Sequence, residues 1–162
     1  MALSRRDFLW FASMLTPLST LYGKSVRLSL FPLIGSVTQH LFPDTKGFPR
    51  EAVLAIPSFI LSTLFHSRYD AEIRHFMLKG FERLSFGTGG HFVLWSRERR
   101  EDYLRQLEQE EEGKMWLKQL LILCFESLLS DPIYGGNQEA LGWRMFQIEG
   151  GKPRPKVPYI YG

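Results

Sequence analysis

The sequence predicts an all-α fold: an irregular bundle of four to six helices followed by an extended C-terminal arm. Three observations carry that expectation. Apolar side chains recur every three or four residues through most of 33–129, the spacing that gathers them on one side of a helix. Period-two alternation, the mark of a half-buried strand, is nearly absent. Pro43, the Gly87-Thr88-Gly89-Gly90 stretch and Pro132 cut the pattern into helix-length pieces.

Leu33, Ile34, Val37 and Leu41 share one side of a short first helix, which Pro43 stops; Asp44-Thr45-Lys46-Gly47 then reads as a loop. Arg50 to Phe65 is a second helix, apolar at Val53, Leu54, Ile60, Leu61, Leu64 and Phe65. Pro57 lies in its interior, lacks an N–H, and should kink the helix or split it in two. Tyr69 to Leu84 is the clearest amphipathic segment. Tyr69, Ile73, Phe76, Met77, Phe81 and Leu84 share a face, opposite Glu72, Arg74, Lys79 and Glu82. The charges from Arg97 to Glu112 alternate in sign and predict a solvated helix with i,i+4 pairs such as Glu101–Arg105. Lys114 to Leu129 is apolar almost all round, which predicts the central buried helix; its uninterrupted apolar run falls short of the ~20 residues that span a bilayer. After Asp131 turn residues take over, and Lys152 to Pro158 reads as extended and polyproline-like. The expected organisation is a targeting segment at 1–23, a helical domain at 24–130 and a Gly/Pro-rich arm at 131–162.

A chain of 162 residues can build one domain with an ample core. Its formal charge of +3 drops by one if residues 1–23 leave, because Arg5 and Arg6 depart with Asp7. So small a charge, clustered only at Lys152, Arg154 and Lys156, argues against nucleic acid or an anionic membrane surface as partner. Thirteen Phe and four Trp supply much apolar surface to bury internally or against a partner. Cys124 is the only cysteine, so no intrachain disulfide can form. Within Leu120-Leu121-Ile122-Leu123-Cys124-Phe125 it reads as a small hydrophobe, the alternative being a bridge to another subunit.

Ser4-Arg5-Arg6-Asp7-Phe8-Leu9 is a twin-arginine pattern leading into a moderately apolar stretch, Phe8 to Leu21. Arg5, Arg6, Phe8 and Leu9 are its targeting residues, and the segment reads as an export signal for the twin-arginine (Tat) translocase. The bland alternative is a surface helix with two basic residues at its start. Export by this route carries folded cargo and places the chain in the periplasm.

No group here announces catalysis. His40, His66, His75 and His91 show no metal-ligand spacing, and each reads as a surface or core-edge histidine. Gly87-x-Gly89-Gly90 lacks the preceding strand and the Lys-Ser/Thr of a phosphate loop. The acidic run Glu108, Glu110, Glu111, Glu112 reads as a solvated face. Nucleophile, haem, iron–sulfur and flavin motifs are missing, so catalytic, cofactor-binding and metal residues are all expected to be none in this chain.

The most distinctive stretch is C-terminal. Pro132 ends a helix, Gly135 and Gly136 allow a positive φ or a close backbone approach, and Asn137 can close the turn. Asp131, Pro132, Tyr134, Gly135, Gly136 and Asn137 spell D-P-x-Y-G-G-N, and Gly142-Trp143 follows after a short spacer. This pattern resembles the C-terminal signature of the gluconate 2-dehydrogenase subunit 3 family. Phe42-Pro43-Asp44 also matches a family feature, whereas Gln147 to Gly151 departs from the Gly-Tyr-Pro-Gly-like turn that members often show.

The resemblance implies the small, cofactor-free subunit of a membrane-associated, periplasmic sugar or polyol dehydrogenase. FAD would sit in a partner, a catalytic flavoprotein of the glucose–methanol–choline type exported on this chain's signal. A c-type cytochrome subunit commonly takes the electrons. The eight signature residues are candidates for contact with the flavoprotein, with the turn letting backbone approach and the aromatics filling pockets. They are equally candidates for locking the arm onto its own helices. The turn is expected to lie outside the helical core, so that Gly136→Val would leave the isolated chain folded. The competing reading is a stand-alone periplasmic helical ligand-binding protein or enzyme, which would need a pocket with convergent polar groups.

Overall fold

In the computed structural model, the described residues are 30–43 and 47–158. The segment read as an export signal lies outside them, as do Asp44, Thr45 and Lys46 of the first loop. Among these residues six α-helices appear: α1 (residues 30–41), α2 (Arg50–Leu64), α3 (Ala71–Gly87), α4 (Arg97–Gln109), α5 (Glu111–Leu129) and α6 (Leu141–Phe146). Short 3-10 turns occupy Phe92–Leu94, Pro132–Tyr134 and Gln138–Ala140. No strand occurs among the described residues, and the fold is all-α as the apolar spacing predicts.

α5 is the hub, packing against α2, α3, α4 and α6. Its Trp116 shows how the core is keyed. The indole packs against Gly80 of α3, where a Cβ would overlap the ring. Its Nε1 donates to the Met77 carbonyl at 3.1 Å, so the one polar atom of a nearly fully buried side chain is satisfied. Phe81 meets the ring edge-on at 5.1 Å.

Helix ends follow their caps more closely than their apolar pattern. α3 begins at Ala71, not Tyr69, because the Asp70 carboxylate accepts from the backbone N–H of Glu72 and Ile73 at 2.8 and 2.9 Å. Tyr69 is buried all the same, in the turn before the cap. Pro57 does not split α2: its ring is buried and faces Gly35 of α1, so the lost N–H is offset by packing in the core.

The acidic run is a corner as well as a solvated face. Glu110 takes an extended conformation that ends α4 and starts α5, and it pairs with Arg83 of α3. Glu112 pairs with Lys79 of α3 at 2.9 Å. α5 accordingly starts three residues before Lys114. It is central but not buried all round, since Met115, Ile122 and Phe125 stand exposed.

The C-terminal arm is less extended than its turn residues suggest. Residues 131–147 carry two 3-10 turns and α6, and only the stretch from 148 to 158 lacks regular structure. The Lys152–Pro153 bond is cis.

Candidate functional site

The signature segment folds back on the end of α5. A helix leaves its last four carbonyls without intrahelical partners, and here the following residues supply donors to three of them and to the carbonyl of the cap residue Ser130. Ser130 N–H donates to Glu126 O at 2.8 Å. The Asn137 backbone N–H donates to Ser127 O, and its side-chain Nδ2 to Ser130 O at 2.9 Å. Trp143 Nε1 donates to Leu129 O at 2.6 Å. Asn137 Oδ1 in turn accepts from Gly142 N–H at 2.8 Å, closing the two halves of the motif on each other. The signature is an extended cap.

Its glycines are set by that cap. A Cβ on Gly136 would run into the Ser127 carbonyl and lie 3.0 Å from Phe59 Cδ2, and one on Gly142 would run into the Leu128 carbonyl. Gly136 and Gly142 thus let the chain lie directly on the α5 terminus. The expectation that the turn stands outside the core does not hold for Gly136. Gly135 differs: its φ of 84° is left-handed, and the space a Cβ would fill is open.

Asp131 begins the segment by accepting from Ile133 N–H at 3.1 Å. Its other oxygen accepts from Arg154 Nε at 2.7 Å, while the Arg154 guanidinium sits 4.6 Å from the centre of the Trp143 ring. Arg154 therefore straps the late arm across both ends of the signature. Composition alone marks it only as one of three basic tail residues. Non-glycine residues Asn137, Glu139 and Ala140 all carry positive φ, which costs on the order of 1 kcal/mol each for Glu and Ala.

Of the eight signature residues, Gly136, Asn137, Gly142 and Trp143 are buried. Asp131, Pro132 and Tyr134 are half-buried, and Gly135 is exposed. The locking role fits the first group, and the outward edge from Pro132 to Gly135 is what another molecule can touch.

A second feature lies between α1, α4 and α5, a groove of about 200 Å³. Leu41, Leu104, Leu117 and Leu121 form its apolar walls. On its rim His40 Nε2 and Glu101 Oε2 are 2.7 Å apart, and Arg105 reaches the other Glu101 oxygen at 2.6 Å. The bond from His40, with Arg105 adding to it, holds the Glu101 carboxyl below its ordinary value. The i,i+4 pair is visible in the sequence; the buried histidine, sixty-one positions away, is not. Among the described residues no three His, Cys, Asp or Glu side chains converge as a metal site. Cys124 is fully buried, and burial pushes its thiol up to about 12, the behaviour of a small hydrophobe.

The fold and the capped helix define a class: a small all-α protein whose distinctive residues close its central helix. The family model for gluconate 2-dehydrogenase subunit 3 matches residues 31–151, and the chain belongs to that family. It is thereby a subunit of a dehydrogenase complex. No curated protein and no solved structure matches the chain.

Proposed function

We propose that this chain is the non-catalytic small subunit of a periplasmic, inner-membrane-associated, FAD-dependent sugar or polyol dehydrogenase, and that it carries the catalytic flavoprotein through the twin-arginine translocase. The observation that carries the reading is the family match across 31–151. The Arg5-Arg6-Asp7-Phe8-Leu9 pattern supports the export half of it. Because that route takes folded cargo, the chain binds the flavoprotein in the cytoplasm, after FAD insertion. The Pro132–Gly135 edge of the signature is one contact open to it. A c-type cytochrome would complete the complex as electron acceptor.

A stand-alone ligand-binding protein would use the groove between α1, α4 and α5. There the polar heads of His40, Glu101 and Arg105 are spent on one another, which favours the subunit reading.

Replacing Arg5 and Arg6 by Lys tests the proposal. The expected outcome is loss of both this chain and the flavin-dependent dehydrogenase activity from the periplasm, with activity accumulating in the cytoplasm. Undiminished periplasmic activity in the Lys-Lys variant would refute shared export.

A further inference from the structure

α5 turns outward a side that its own fold leaves uncovered, apolar except for the exposed Lys118 between Met115 and Ile122. Met115, Ile122 and Phe125 are 55%, 41% and 42% exposed. Spaced seven and three residues apart, they form one strip along about 15 Å of helix. At its C-terminal end the strip joins a chain of rings, Phe125 to Phe42 to Phe48 to Phe146, with centroids 5.7, 5.0 and 6.4 Å apart. Phe146, the far end, is itself 43% exposed.

The groove described above lies alongside. Leu117 and Leu121 are the α5 residues that wall it, and Leu121 lies one turn before Phe125 of the strip. An apolar ridge next to an apolar recess is the form in which protein interfaces hold their anchor side chains. Lipid would meet the ridge but has no use for the recess.

Charge narrows the occupant. Among the described residues no ion pair is formed by Glu108 on the groove rim, by Glu126, one turn beyond Ile122, or by the exposed Lys114 and Lys118, so this face carries unpaired charge of both signs. Desolvation raises the Glu126 carboxyl, so a cation placed against it would be favoured. The fitting occupant is a protein surface that offers an apolar side chain flanked by charges of both signs, Lys or Arg for Glu108 and Glu126 and a carboxylate for Lys118. Membership in a family of complex subunits supplies such a covering partner.

We propose that this strip and groove of α5 are the docking face for the catalytic flavoprotein, which inserts an apolar side chain between Leu104, Leu117 and Leu121 and sets basic groups against Glu108 and Glu126. The proposal rests on the subunit reading above. It places the main contact outside the signature, whose buried half closes the chain's own helix.

The test is co-purification of the full chain with its co-expressed flavoprotein, read by flavin absorbance. M115E/I122E changes two exposed positions. It is expected to leave the helical circular dichroism intact while lowering capture at least tenfold. E108K/E126K touches only surface charge and is expected to weaken capture by a similar factor, most at low salt. F86S/L94S, at the two most exposed apolar side chains away from the strip, is expected to capture normally.

Normal capture by both strip variants, with the wild type capturing flavoprotein, would overturn the docking face and leave the subunit reading standing. Failure of the wild type to capture any flavoprotein would overturn both. Normal capture combined with lost binding to phosphatidylglycerol vesicles would assign the strip to the membrane and overturn the proposal.

Discussion

Asn137 is 1% exposed and uses every polar atom it has. Its backbone N–H and Nδ2 feed two carbonyls at the end of α5, and its Oδ1 receives Gly142 N–H. Removing the side chain leaves Ser130 O and Gly142 N–H without those partners, at about 1–3 kcal/mol for each buried group. Asn137→Ala should therefore cost the isolated chain roughly 2–4 kcal/mol in urea unfolding. Its neighbour behaves oppositely. Ser127 Oγ is buried with no hydrogen-bond partner among the described residues, so Ser127→Ala should be neutral or stabilising by about 1 kcal/mol. A loss of stability on that substitution would reveal a partner for the hydroxyl. The turn chemistry of Asn137 was legible, because asparagine tolerates left-handed backbone and bonds its own chain. Its true partners, ten and seven residues upstream and five downstream, are set by where α5 ends, and no local pattern encodes them.

The helices themselves were legible because periodicity records burial directly: Met77, Phe81 and Leu84 share one face in the sequence and are buried together. Ends were less so, since Asp70 stops and starts the chain by hydrogen bonding, independently of hydrophobicity. What periodicity cannot give is the pairing between helices, and the tie of α1 to α4 is the clearest case. His40 is buried on α1 and its partner Glu101 is 43% exposed on α4. Glu101 has its carboxyl held down by the His40 bond, with Arg105 contributing. A depressed carboxyl contributes stability above its unfolded value of 4.5, and that contribution is lost as pH falls through the lower folded value. Glu101→Gln should accordingly lower the melting temperature near neutrality. It should also shrink the difference from wild type as pH drops below about 4. A gap that stays constant down to pH 2 would mean the carboxylate charge has no part in the tie.

At the scale of the molecule, the fold class and the family could be read from periodicity and eight signature residues. The division of labour among those eight could not. Tyr134 and Trp143 look alike as aromatics, yet Trp143 plugs the chain's own helix end, and the close approach of Gly136 and Gly142 is to that helix too. Gly136→Val, with its branched carbon driven into the Ser127 carbonyl, should unfold the isolated chain or cost it at least about 3 kcal/mol. Gly135→Ala, with open space but φ of 84°, should cost only about 1 kcal/mol. Equal melts for the two variants would show that backbone strain, and not the close approach, decides the position.

The cap on α5 also imposes an order in time. Every donor that finishes the helix, apart from Ser130 N–H, comes from Asn137 or Trp143, and the strap over them comes from Arg154. During synthesis α1 to α5 leave the ribosome first, with the end of their central member still open. The hub reaches its final form only when Asn137, Trp143 and Arg154 have emerged. A surface assembled on α5 therefore becomes a reliable one late in translation, and a nascent chain lacking its final segment offers partners an unfinished helix.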